Sequence, residues 1–120
     1  MSANSYIKIA YTIKHDILNG SYQAGQQLPS IRLIAKQENC NPATVHRAFK
    51  VLKQQGIIFP RCSSGYFVIN DSLKIDILRK QECINLISDF LDKLHAFGYS
   101  NIDIYMLLQN YLKSKSFNAE

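Results

Sequence analysis

Apolar residues recur along this chain at intervals that change type in a fixed order. Tyr6, Ala10, Ile13 and Ile17 fall at helical spacing, with Ile9 and Leu18 widening the stripe, and Gly20 stops this first helix. Gly25 and Pro29 mark a loop. Ser30 is a good N-cap for a second helix, Ile31 to Glu38, whose inner face is Ile31, Ile34 and Ala35. Asn39 can take the left-handed conformation that ends it. Asn41 caps a third helix with Pro42 in its first turn, where a missing N–H costs nothing. Val45, Ala48, Phe49 and Leu52 form its buried stripe, and Gly56 ends it.

The period then switches. Ile57 to Phe59 and Tyr66 to Ile69 are rich in β-branched and aromatic residues and predict two strands, joined by Pro60 to Gly65. Asn70, Asp71 and Ser72 read as a short polar hinge. Beyond it, Ile77, Ile84 and Leu91 share one heptad position and Ile87 and Leu94 another, while Leu78, Leu86, Phe90 and Phe97 add a second apolar face. Gly98 ends that helix. Ser100, with Asp103 three residues on, caps a last helix whose stripe is Ile104, Leu107, Leu108 and Tyr111.

The order helix, helix, helix, hairpin predicts a mostly α fold with a small β-hairpin. It is an N-terminal winged helix-turn-helix over residues 1–70, followed by a two-helix C-terminal dimerisation domain over 71–120. Two helices cannot bury so much apolar surface alone. Ile77, Ile84, Ile87, Leu91, Leu94 and Leu108 are therefore expected to meet the same helices of a second copy.

Charge sharpens this picture. Residues 1–70 hold eight Lys and Arg against two Asp and Glu, a net of +6; residues 71–120 hold six against seven, a net of −1. Basicity belongs to the half that would meet phosphate, although a solvated basic surface is the plain alternative. On the third helix, Ala43, Thr44, His46, Arg47 and Lys50 lie away from the buried stripe. They are short near the N-terminus and basic beyond it, which suits insertion into a major groove about 12 Å wide. The hairpin tip carries Arg61, Ser63, Ser64 and Gly65, small and cationic enough for close approach to a backbone.

Other chemistries find little support. Cys40, Cys62 and Cys83 cannot all pair and lack zinc spacing, so reduced thiols are expected. Cys62, beside Arg61 on a loop, is the candidate for a redox-sensitive thiol. His15, His46 and His95 are scattered, so no metal is expected. No catalytic constellation emerges: Ser63 and Ser64 have no identifiable base. No cofactor is implied, and the C-terminal region leaves little room for a closed metabolite pocket, so no small-molecule effector is named. No apolar run is long enough to span a bilayer and no signal-peptide core is present, which makes the cytoplasm the expected location. A winged-helix adaptor that binds protein is the competing class.

Three motifs resemble the GntR family of bacterial transcription regulators: GQQLPSIRLIA from Gly25 to Ala35, NPATVHRAFKVL from Asn41 to Leu52, and GYFV from Gly65 to Val68. The resemblance covers Tyr6 to Val68, and the two-helix tail is similar to the YtrA-type branch. The MocR-type branch carries a large aminotransferase-like domain for which this chain has no room. The resemblance implies a dimer on two-fold operator DNA, commonly a repressor, with YtrA-type members often tied to transporter genes. By the same resemblance, Arg32 is the Arg of the PSxR motif, directed at the phosphate backbone or a guanine edge. Thr44 stands near phosphate, His46 occupies a slot that several branches give to Arg, and Gly65 is the wing glycine. Leu33 replaces a common Glu, so the second helix is less firmly capped or Leu33 packs instead. Ser63 replaces an earlier wing glycine, and Cys62 the Arg before it.

Overall fold

The computed structural model describes residues 5–119, with side chains described for 5–116. Helix α1 (Ser5–Leu18) buries Ile9, Ala10, Ile13, Ile17 and Leu18. It ends before Gly20, whose φ of 89° only glycine adopts cheaply. Helix α2 (Ile31–Gln37) starts where Ser30 Oγ accepts the Leu33 N–H at 3.1 Å. It ends one residue short of the expected position, with Glu38 as cap and Asn39 left-handed at φ 53°. Leu33 is exposed, so it does not pack: only the Ser30 half of a capping box exists, and α2 begins with a single side-chain cap. Ile34 and Ala35 are buried, whereas Ile31 is half-buried.

Helix α3 (Pro42–Gln54) is capped by Asn41, whose side chain accepts the Ala43 N–H at 2.8 Å. Val45, Ala48, Phe49 and Leu52 are all but sealed from solvent, and each larger one stabilises by about 1.5–3 kcal/mol. Strands β1 (Ile58–Arg61) and β2 (Gly65–Val68) are antiparallel, with Ile58 opposite Val68 and Arg61 opposite Gly65. The connection expected over Pro60 to Gly65 is shorter: Pro60 pairs with Tyr66, and only Cys62, Ser63 and Ser64 turn. A proline fits here because β1 is an edge strand. On its other side β2 is flanked by the loop before α2. Leu28 N–H donates to Tyr66 O and Val68 N–H to Gln26 O, each at 2.9 Å, and Gln27 bridges Phe67.

Helix α4 (Ser72–Ala96) begins where a hinge was expected. Asp71 is its cap, with Oδ1 accepting the Lys74 N–H at 3.1 Å. Ile75 is buried and Leu78 packs on the core of α1, α3 and the hairpin. The chain accordingly divides into two compact units, Met1–Arg79 and Lys80–Glu120.

In the first unit, α4 supplies cations to two helix C-termini, where free carbonyls carry negative charge. Arg79 Nε donates to Leu18 O at 2.6 Å while its Nη1 pairs with Asp76 at 2.8 Å, and Lys74 Nζ donates to Gly56 O at 3.2 Å. Because the Arg79 side chain is half exposed, its loss is discounted for screening. Arg79→Ala is expected to destabilise by about 1 kcal/mol in urea unfolding.

The second unit holds the rest of α4 and helix α5 (Asn101–Ala119). Ser100 N–H donates to Asp103 Oδ2 and Asp103 N–H to Ser100 Oγ, both at 3.2 Å, a reciprocal capping box. The Ser100 backbone bond, then its hydroxyl, hold the Asp103 carboxyl below its usual range. The cap therefore contributes fully above the ordinary carboxylate pKa and is lost as pH falls through the depressed value. Ile104 is buried, but Ile84, Leu86, Ile87, Phe90, Tyr105 and Leu112 are exposed. No helix among the described residues is long and apolar enough to cross a membrane.

Candidate nucleic-acid interface

From Gly20 to Asn70 the sequence contains one carboxylate, Glu38. Arg32, Lys36, Arg47, Lys50, Lys53 and Arg61 stand on α2, α3 and β1, and every one of them is exposed. This follows from the helical wheel: the core takes Val45, Ala48, Phe49 and Leu52, so Ala43, His46, Arg47 and Lys50 must point outward from α3. Thr44 is half-buried at the edge of that face.

Arg32 lies in the first turn of α2, exposed, and no ion pair with Glu38 is formed among the described residues. A cation at a helix N-terminus opposes the macrodipole. Local stability therefore gives no reason for Arg32 to be there. Arg47 is exposed, yet its Cζ lies 3.9 Å from the centroid of the Tyr6 ring on α1. The residues placed on the outer face of α3 thus divide: Ala43, His46 and Lys50 are open to solvent, and Arg47 is laid against α1.

The wing is held to α3 by Phe49, whose ring meets Tyr66 edge-on with centroids 4.9 Å apart. Ile58 and Val68 face inward, so Phe59, Arg61 and Phe67 share the outer face. The Phe59 and Phe67 rings stack at 6.1 Å, and the Arg61 guanidinium sits over Phe67 at 4.7 Å and Phe59 at 5.7 Å. Arg61 is therefore a strand residue on an aromatic shelf rather than part of the flexible tip. Ser64 and Gly65 are exposed at the turn. Gln27 Nε2 donates to Ser64 O and fixes the tip. Gly65 has φ 91°, and an added Cβ would stand 3.4 Å from that same Nε2.

Ser63 adopts φ 64°, a left-handed conformation that costs an L-residue roughly 1–2 kcal/mol. This accounts for the glycine that resemblance placed there. Ser63→Gly should raise stability by roughly 0.5 kcal/mol once the entropy of glycine in the unfolded chain is subtracted, as read from the urea midpoint. Cys62 is exposed, Cys83 exposed and Cys40 half-buried, all three as free thiols.

Sequence reasoning missed Tyr6, Gln27, Phe59 and Phe67 as parts of this surface. Tyr6 read as one more member of the α1 stripe, and the phenylalanines read as strand formers. Gln27 has no local signal, because its partner is in the wing. Among the described residues, no three His, Cys, Asp or Glu side chains are grouped to hold a metal ion.

A helix with an exposed basic face, packed beside α2 and beside a hairpin that carries Arg61, defines a winged helix-turn-helix of the DNA-binding class. Residues 5–68 match the bacterial regulatory proteins of the gntR family. The chain belongs to that family of DNA-binding transcriptional regulators. It is 26% identical over 93 residues to the HTH-type transcriptional regulator YhcF of Bacillus subtilis, spanning 78% of this chain and 77% of YhcF. It is 31% identical over 104 residues to the HTH-type transcriptional repressor YtrA of the same organism, spanning 77% of this chain and 79% of YtrA. Further relatives are matched along only 13–20% of their own length. Among solved structures, a GntR family transcriptional regulator from Listeria monocytogenes superposes with a TM-score of 0.82 at 27% identity, over 88% of this chain and 92% of its own. These relatives are regulators, not enzymes.

Proposed function

We propose that the protein is a cytoplasmic repressor that binds a palindromic operator as a homodimer, with residues 1–70 reading DNA and 71–120 pairing the subunits. The observation that carries this is the set of exposed cations on α2, α3 and β1, within a stretch whose one carboxylate is Glu38 at the end of α2. Arg32, Thr44 and Arg61, with Lys50 beside them, hold the phosphate backbone and set the register. Ala43, His46 and Arg47 read base edges in the major groove, while Ser64 and Gly65 let the wing backbone approach the duplex. Each bidentate base contact supplies about 1–3 kcal/mol of discrimination.

Two-fold pairing is supported by the apolar side chains of the second unit. Ile84, Ile87 and Leu108 are exposed, as is Ile77 further up α4, with Leu91 and Leu94 half-buried beside them. A surface of this kind is costly to leave in water. Pairing places two α3 helices on half-sites about 34–36 Å apart. Repression is supported by the name of the relative YtrA, a transcriptional repressor. Selection of bound duplexes from a random pool at physiological salt tests the whole reading. A palindrome with half-sites one helical turn apart is expected; a pool that stays random would reject sequence-specific binding, and a single unrepeated half-site would reject the dimer.

A further inference from the structure

We infer that Tyr6 is a positioning residue for the base-reading guanidinium of Arg47, an inference that rests on the reading of Arg47 given under Proposed function. The two side chains come from different elements. Tyr6 stands in the first turn of α1, half-buried and packed against the core. Arg47 projects from the exposed side of α3, and its Cζ is 3.9 Å from the Tyr6 ring centroid. A guanidinium at that distance from a ring is held by the ring quadrupole.

The geometry matters because of what it leaves free. A carboxylate partner would occupy the N–H fork of Arg47. A ring that meets the flat of a guanidinium leaves its in-plane N–H donors available for the two acceptors of a guanine edge. A solvent-exposed arginine otherwise samples many rotamers and must surrender that freedom when it binds. Tyr6, itself restrained by the core, removes part of that cost before DNA arrives. It also explains why a polar-tipped aromatic stands at the solvent edge of a stripe that is otherwise aliphatic.

The test uses the full chain and the operator obtained by selection. Tyr6→Leu keeps an apolar side chain against the core and removes the ring; Tyr6→Phe keeps the ring. Tyr6→Leu is expected to weaken operator binding about three- to tenfold, with affinity for random duplex unchanged and discrimination relaxed at one base pair of each half-site. Tyr6→Phe is expected to bind within about twofold of the parent, the rescue that separates stacking from the hydroxyl. In an Arg47→Ala background, Tyr6→Leu should cause no further loss. Parental affinity in Tyr6→Leu overturns the inference, as does a loss of the same size when Arg47 is already alanine. Parental affinity in Arg47→Ala instead rejects Arg47 as a base-reading residue, and the inference falls with it. Far-UV circular dichroism of each variant confirms that the helices are intact.

Discussion

Arg32→Ala is expected to weaken operator binding between tenfold and a hundredfold while leaving the thermal midpoint unchanged or slightly raised. The size follows from losing a charge-assisted contact in a desolvated groove, about 1–3 kcal/mol. The sign of the stability effect follows from position. Arg32 is in the first turn of α2, exposed and without an ion pair to Glu38 among the described residues. Its charge faces the positive end of the helix dipole, so removing it relieves a small repulsion. If the contact is to phosphate, the slope of log affinity against log salt should fall by about 0.9 in magnitude for each subunit engaged. A contact to a guanine edge would leave the slope unchanged and relax the preference at one base pair. Unaltered affinity would remove Arg32 from the interface.

The largest stability effect belongs to Phe49→Ala. Phe49 is among the largest fully buried side chains, lies in the middle of α3 and meets Tyr66 of the wing edge-on at 4.9 Å. Truncation removes the transfer energy of the ring and leaves a cavity between helix and hairpin, together costing about 3–5 kcal/mol. Domains of this size hold only about 5–15 kcal/mol in total, so the variant should lose a fifth or more of its stability in urea unfolding. Because Phe49 joins the reading helix to the wing, the folded fraction that remains should also bind operator more weakly. A loss below 1 kcal/mol would show that the α3–wing junction is not where the first unit is held.

The helices were legible because their signals are local. Ser30 and Asn41 mark starts through bonds to residues two or three positions away, Pro42 fits a first turn that needs no N–H from it, and the stripe of α3 is set by its own period. The left-handed residues Asn39 and Gly56 were readable for the same reason. What escaped was set by partners distant in sequence. The segment around Gln27 adds to β2 across forty residues, yet Gly25 and Pro29 leave it too short to show an alternating pattern. Asp71 looked like hinge chemistry because the same residue type serves turns and helix caps. The burial of Ile75 and Leu78 could not be separated from the heptads that continue past Arg79 along the same helix.

The candidate interface was legible to a similar degree. The cations of α2 and α3 could be placed on outer faces from periodicity alone. Where the head groups rest could not: Arg47 on Tyr6 joins residues distant in sequence, and Arg61 on Phe59 and Phe67 depends on the strand register of the hairpin, which places all three on one face. The wing departs from expectation because proline signals a turn in most settings, whereas an edge strand accepts Pro60.

The central claim is that the outer face of α3, flanked by Arg32 and the wing, enters the duplex. Amide spectra of the isotopically labelled protein titrated with the selected operator test it most directly. Shifts concentrated at Arg32, Ala43, Thr44, His46, Arg47, Ser64 and Gly65, with Val45, Ala48 and the residues of α5 little moved, are the predicted result. A spectrum in which those positions stay still while others respond would contradict the account.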